Sequence, residues 1–84
     1  MSIVSEGIEK INHFVRAINQ ITHDNLAYTE QAALANLLNA YHEASAECSL
    51  ALVHRLQYEG AVGYLCLAFR ITHEQKMSLL DLLG

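Results

Sequence analysis

One stretch of this chain constrains its fold more than any other: residues 29–59 contain neither proline nor glycine and are rich in alanine and leucine. This composition predicts one long helix from Thr29 to Glu59, with Thr29 as its N-cap and Glu30 favoured by the helix dipole. At a rise of about 1.5 Å per residue, the helix would be about 45 Å long. A compact domain of 84 residues is only about 30 Å across. The helix must therefore bend, break or project beyond one chain towards a partner.

Composition favours the last of these solutions. Apolar residues make up 52% of the chain, slightly above the usual range of about 45–50%. A chain of this length forms a single domain, residues 1–84, with room for only a modest core. The surplus apolar surface is hard to bury in one copy. We therefore expect a homodimer or a higher oligomer, in which the long helices pair or helices are exchanged between copies.

The rest of the chain also has helical patterns. Apolar residues recur at helical spacing near the N-terminus, and the polar segment 22–25 predicts a turn after them. This first apolar stripe consists of Val4, Ile8, Ile11, Phe14, Val15, Ile18 and Ile21. Gly60 is expected to stop or bend the long helix, and residues 61–71 are expected to form another. Thr72 and Gln75 have the spacing of a capping box that opens a last short helix. The predicted fold is an all-α bundle of three to four helices with one long central helix.

The second half of the long helix is apolar nearly all round, because Leu50, Val53 and Leu56 add to the apolar face that begins at Leu34. A helix of this kind is covered on more than one side. We therefore expect this half to be the central element of the fold. The residues predicted for the oligomer interface or the core are Leu34, Leu38, Tyr41, Cys48, Leu52 and Leu56.

Charge and hydropathy disfavour two broad classes of function. Nine acidic residues against five scattered basic ones give a net charge of −4, whereas nucleic-acid binding needs clustered Lys or Arg. The longest apolar run, residues 61–69, is far shorter than the roughly twenty residues that cross a bilayer. No signal peptide is expected, since acidic residues precede any apolar block. We expect a cytoplasmic protein that binds neither nucleic acid nor membrane, with Cys48 and Cys66 as buried free thiols.

Patterns for catalysis and metal binding are weak. Five histidines are many for 84 residues, but adjacent helical residues such as His42 and Glu43 point about 100° apart and do not readily share an ion. The Glu-x-x-His and His-Glu-x-x-His elements of metal-binding helices are absent from the sequence. A buried cysteine without a positive neighbour is inert. We expect no metal, no cofactor and no enzymatic activity.

Two functions remain open. The first is a small non-catalytic interaction protein that regulates or inhibits a larger protein partner, of the kind that phages and other mobile elements encode. The second is an oligomer that binds a small anionic metabolite or nucleotide at the subunit seam, because aromatic hydroxyls and a guanidinium can stack on and hydrogen-bond such a ligand. The residues predicted for that ligand are Tyr41, His42, Arg55 and Tyr58.

Overall fold

The structure, a computed structural model, describes the backbone of residues 3–44 and 49–84 and the side chains of residues 8–44 and 49–84. In those ranges the chain forms four helices and no strand: α1 (Ile3–Thr22), α2 (Tyr28–Glu43), α3 (Ser49–Leu67) and α4 (His73–Asp81). α1 packs against α2, α2 packs against α3, and α4 contacts both α3 and α1. The four helices close a ring around one core. The predicted all-α bundle is confirmed, and its homodimerisation stays a prediction.

The core lies inside this ring and takes side chains from every helix and from two connections. Its buried apolar residues are Val15, Ile18, Leu26, Leu34, Ala35, Leu38, Tyr58, Val62, Leu65, Ile71, Leu79 and Leu83. Two buried polar side chains are satisfied internally. The Thr22 hydroxyl donates to the Ile18 carbonyl at 2.9 Å, and the Gln31 amide donates to the Asn19 side chain at 3.0 Å. Neither of these buried polar side chains is therefore left without a hydrogen-bond partner.

The single helix predicted for residues 29–59 is wrong. α2 ends at Glu43, Ala44 has extended backbone with a ψ of 142°, and α3 begins at Ser49. Residues 45–48, which include Cys48, lie outside the described ranges. A continuous helix of about 45 Å would exceed the longest dimension of the molecule, which is 38 Å. Ending α2 early lets α3 pack back against it, so burial overrides the helix propensity of the sequence.

The break also changes which helix is central. α2 lies between α1 and α3, whereas the first half of α3 lies at the surface. Leu50, Val53 and Leu56 are all exposed, so the expectation that this half is covered on more than one side is wrong within one chain. The predicted stripe of α1 is partly corrected as well, because Ile8 is exposed while Val15 and Ile18 enter the core.

The helix ends follow local chemistry. α1 ends in the predicted turn, where His23 and Asp24 have left-handed backbone with φ of 45° and 66°. The N-cap of α2 is Ala27 and not Thr29. Alanine has no side-chain acceptor, so only the reciprocal half of a capping box forms there: the Ala27 N–H donates to the Glu30 carboxylate at 2.8 Å.

The capping box of α4 is confirmed. The Gln75 N–H donates to the Thr72 hydroxyl at 3.1 Å, and the Thr72 N–H donates to the Gln75 side-chain oxygen at 2.9 Å. The Gln75 amide also donates to the Ile21 carbonyl at 3.2 Å, which joins α4 to the end of α1. This capping box therefore fixes both where α4 begins and where it sits.

Gly60 does not stop the helix in which it lies. α3 continues through Gly60 and Gly63 to Leu67, which corrects the predicted boundary at Gly60. A glycine inside a helix destabilises it by about 1 kcal/mol relative to alanine. The packing of Tyr58, Val62 and Leu65 in the core holds the helix together across both glycines. None of the helices in the described ranges is both long and apolar enough to cross a bilayer.

Candidate interaction surface

The side of α3 that faces away from the core is apolar along most of its length. At 100° per residue, the positions opposite the buried Tyr58, Val62 and Leu65 fall within an arc of about 120°. These positions are Leu52, Val53, Leu56, Gly60, Gly63, Tyr64 and Leu67, and we call them the outer face of α3. Between residues 52 and 67 this arc contains no charged side chain and no amide. Gln57 and Glu59 lie at its two edges.

The large side chains of the outer face are accessible. Leu56 is 57% exposed, Tyr64 is 69% exposed and Leu67 is 81% exposed. Leu50 extends the apolar surface by one turn at the N-terminal end, where it is also exposed. Single exposed leucines are common on protein surfaces, but a continuous row along four turns is typical of an interaction surface.

The turn after α3 carries a further exposed aromatic ring. The Phe69 N–H donates to the Cys66 carbonyl at 3.1 Å, and the Arg70 N–H donates to the Leu65 carbonyl at 2.9 Å. This pair of bonds is the Schellman motif, whose left-handed position is usually glycine. Here Phe69 occupies it with a φ of 60°, and its side chain is 95% exposed. A bulky residue in this conformation is unfavourable, and such outliers concentrate at functional sites.

A polar network holds that turn against α2. The Arg70 guanidinium donates to the Glu30 carboxylate and, at 3.4 Å, to the Asn25 carbonyl. The pKa of Glu30 is lowered from its ordinary value of 4.5, first by the hydrogen bond from the Ala27 N–H and then by that from Arg70. Both donors favour the ionised carboxylate. The position of Phe69 is therefore set by contacts that link the end of α3 to the start of α2.

The residues predicted for the interface or core separate into two groups. Leu34 and Leu38 are buried in the core of the chain, and Tyr41 is half-buried beside it. Leu52 and Leu56 are exposed on the outer face of α3. Cys48 lies outside the described residues. Participation of Leu52 and Leu56 in an interface stays a prediction.

The residues predicted for a ligand do not share one surface. The Tyr58 side chain is buried, and its hydroxyl donates to the Leu79 carbonyl at 2.6 Å, so burial raises its pKa. Arg55 is paired with Glu59 at 2.7 Å, which raises the pKa of Arg55, and nearby Tyr41 raises it further. Since the Tyr58 side chain is buried in the core, it cannot contact a ligand at the surface.

Tyr41 and His42 do lie together, at a hollow of about 300 Å³ beside Ala51 and Leu83. The ring of His42 meets that of Tyr41 edge to face, with centroids 5.1 Å apart. The His42 Nε2 lies 2.9 Å from the Leu82 carbonyl. His42 therefore contacts the C-terminal end of α4, and the sequence did not indicate this contact.

A second concave region lies between α1 and α2. It has a volume of about 520 Å³, and it is lined by Glu9, Lys10, His13, Phe14, Asn39, His42 and Glu43. Lys10 and Glu43 pair at 3.3 Å, and the Phe14 ring stacks on His42 at 5.4 Å. Of the charged groups of this groove, Lys10 and Glu43 thus contact each other. In the part of the chain that the structure describes, no three His, Cys, Asp or Glu side chains are grouped so as to hold a metal ion.

Tyr64, Leu67 and Phe69 were not predicted to be surface residues, because they lie within the uninterrupted apolar run of residues 61–69. A signal for them was present. If the helix continues through Gly60, then Val53, Leu56, Gly60, Tyr64 and Leu67 follow one another at intervals of three or four residues. Cys66, predicted to be buried, is half-buried with a free thiol.

Comparisons with protein-family models, with curated proteins and with solved structures found no match to this chain. The outer face of α3 and the exposed Phe69 in the turn after it are therefore the features of this chain that point to a function.

Proposed function

We propose that this chain is a small non-catalytic protein-interaction module that docks through the outer face of α3 onto another polypeptide. The observation that carries this proposal is the apolar outer face from Leu52 to Leu67, together with Phe69 in the turn after α3, which is 95% exposed in a left-handed conformation. Large exposed apolar surfaces are typical of protein–protein interfaces. Apolar side chains three and four residues apart on one helix face are also the anchors by which an amphipathic helix docks into a groove of a partner.

A protein partner fits this surface better than a small molecule does. Ligand pockets are concave, and they use a few convergent polar groups to fix the orientation of the ligand. The outer face of α3 is one side of a single helix, and between residues 52 and 67 its only polar atom is the Tyr64 hydroxyl. Such a surface gains free energy by burying area against a complementary surface.

Regulation or inhibition of a larger protein is the role we propose for this docking. A chain of 9.4 kDa that binds through one helix leaves the rest of its volume to obstruct the surface around the contact. Steric occlusion of this kind needs no catalytic group. It requires a rigid scaffold behind the binding helix, which the ring of four helices supplies.

Site-specific photo-cross-linking tests this function. A benzophenone amino acid replaces Tyr64 on the outer face, and in a matched control it replaces Asn12, which is exposed on α1. In cells that express the chain, we expect covalent adducts with a polypeptide at position 64 and at least about fivefold fewer at position 12. Equal yields at the two positions, or no adduct at position 64, would contradict the proposal.

A further inference from the structure

We propose that a second copy of this chain covers the outer face of α3, bound antiparallel about a twofold axis that passes beside Gly60. This inference rests on the proposed function, because it names the polypeptide that occupies the same face in the chain alone, where the larger protein is absent. It is carried by the size of the apolar surface, by its symmetry about Gly60 and by the two glycines, each of which is an independent property of the molecule.

The number of exposed side chains suits a dimer interface. The outer face together with Leu50 and Phe69 has seven large apolar or aromatic side chains that are each 45–95% exposed. Each partner in an interface of standard size contributes about 800 Å². The largest apolar patch on a typical monomer is only about 300–600 Å². Burial against one second copy would therefore account for the whole patch.

The outer face is complementary to itself when it is turned about Gly60. In an antiparallel pair centred there, residues equally far before and after Gly60 meet. Leu56 then faces Tyr64 of the second copy, and Val53 faces Leu67 of the second copy. These offsets of four and seven residues are the ones that recur along a helix–helix contact. A contact of this kind is isologous, so it closes at two copies.

The glycines permit the two helices to approach closely. A Cβ atom added at Gly60 or at Gly63 would have no neighbour within 4 Å in this chain. The fold of one copy therefore does not require glycine at either position, although each glycine weakens α3 relative to alanine. At the crossing point of two helices, however, glycine has no side chain to separate the two backbones, so they can approach closely. The larger residues on either side can then interdigitate.

The ends of the patch favour the antiparallel direction. Phe69 lies nine residues after Gly60, and an antiparallel pair brings the turn that carries it close to the start of α3 in the second copy, where Leu50 and Leu52 are exposed. A parallel pair centred on Gly60 would instead place the Tyr64 rings of the two copies against each other, about one helical turn from the point of closest approach. Antiparallel helices also align their dipoles favourably, and the outer face brings no charged side chain into the contact.

Sedimentation equilibrium of the purified chain and three variants tests this inference. Leu56→Glu places a charge in the contact, and Gly60→Leu fills the crossing point. Met77→Glu is the matched control, because Met77 is an exposed apolar residue on α4, away from the face. All four are first checked for helicity by circular dichroism, and Gly60→Leu has the better intrinsic helix propensity.

We expect the wild-type chain and Met77→Glu to be dimers at about 50 μM, which requires a dissociation constant well below this concentration. We expect Leu56→Glu and Gly60→Leu to fold but to associate at least tenfold more weakly. A wild-type monomer at this concentration would overturn the inference, as would a dimer that neither variant weakens. Such a result leaves the proposed function standing if position 64 still cross-links to a different polypeptide. Loss of that cross-link is what would remove the function itself.

Discussion

The guanidinium of Arg70 binds the carboxylate of Glu30, and this contact joins the turn after α3 to the first turn of α2. The same carboxylate accepts the Ala27 N–H, so one side chain both caps α2 and anchors the turn. Phe69 precedes Arg70 directly and projects from that turn into solvent. Phe69, the most exposed of the large apolar side chains that the structure describes, therefore lies beside a residue whose ion pair anchors the turn.

The Glu30 contacts predict an acid-dependent loss of stability. Because the pKa of Glu30 is lowered in the folded chain, its contribution is present above the unfolded value near 4.5 and is lost as the pH falls through the lowered pKa. Between about pH 6 and pH 3.5, wild type should lose about 0.5–1 kcal/mol more than Glu30→Gln. Urea unfolding at both pH values measures this. Glu74→Gln, at an exposed position in α4, should follow wild type, and an equal pH response in Glu30→Gln would contradict the assignment.

Phe69 should be destabilising for the single chain. In the monomeric Leu56→Glu background, Phe69→Gly should raise the free energy of unfolding by about 1 kcal/mol, since glycine adopts the left-handed conformation without a steric cost. Phe69→Ala retains the Cβ atom and should differ from the parent by less than about 0.5 kcal/mol, because the ring is exposed. Urea titrations compare the three chains. A large loss of stability in Phe69→Ala would mean that the ring packs within its own chain.

The hydroxyl of Tyr58 should stabilise the contact between α3 and α4. Tyr58→Phe removes the hydroxyl that donates to the Leu79 carbonyl. That carbonyl still accepts a hydrogen bond from the Leu82 N–H at 3.2 Å. We expect a loss of about 1 kcal/mol in thermal or urea unfolding. Tyr64→Phe provides the matched control, since its hydroxyl lies on the exposed outer face, and it should change stability by less than about 0.3 kcal/mol. Equal effects of the two substitutions would contradict the role of this bond.

The capping box of α4 should also be measurable. Thr72→Ala removes the side-chain acceptor of the Gln75 N–H and should cost about 1 kcal/mol, whereas Thr72→Ser retains the hydroxyl and should cost much less. Chemical unfolding of both variants makes the comparison. If serine is no better than alanine, the hydroxyl does not cap α4.

Much of the fold follows from local sequence patterns. The turn after α1 and the capping box at Thr72 were predictable because each depends on residues within three or four positions of one another. The break at Ala44 was not predictable in this way, because residues 40–47 have no helix-breaking residue. The helix ends there because packing of α3 against α2 stabilises the fold more than continuing α2 would. This balance depends on the whole chain and not on the residues near Ala44.

The candidate surface was only half predictable for a related reason. Leu52 and Leu56 were identified from the apolar pattern, but it does not reveal which apolar side faces the core. Tyr58, which was predicted to contact a ligand, is instead the side chain that orients α3, since its ring and hydroxyl are both buried. Once Tyr58 points inward, Leu56, Tyr64 and Leu67 must point outward.

Isotope-filtered nuclear Overhauser spectroscopy on an equal mixture of ¹³C-labelled and unlabelled chains tests the central claim most directly. Leu56 and Tyr64 are about 12 Å apart along one helix, too far for a cross-peak within a single chain. The account predicts intermolecular cross-peaks between the Leu56 methyl protons and the Tyr64 ring protons. Intermolecular cross-peaks confined to the groove between α1 and α2, or none at any concentration that the sample allows, would contradict it.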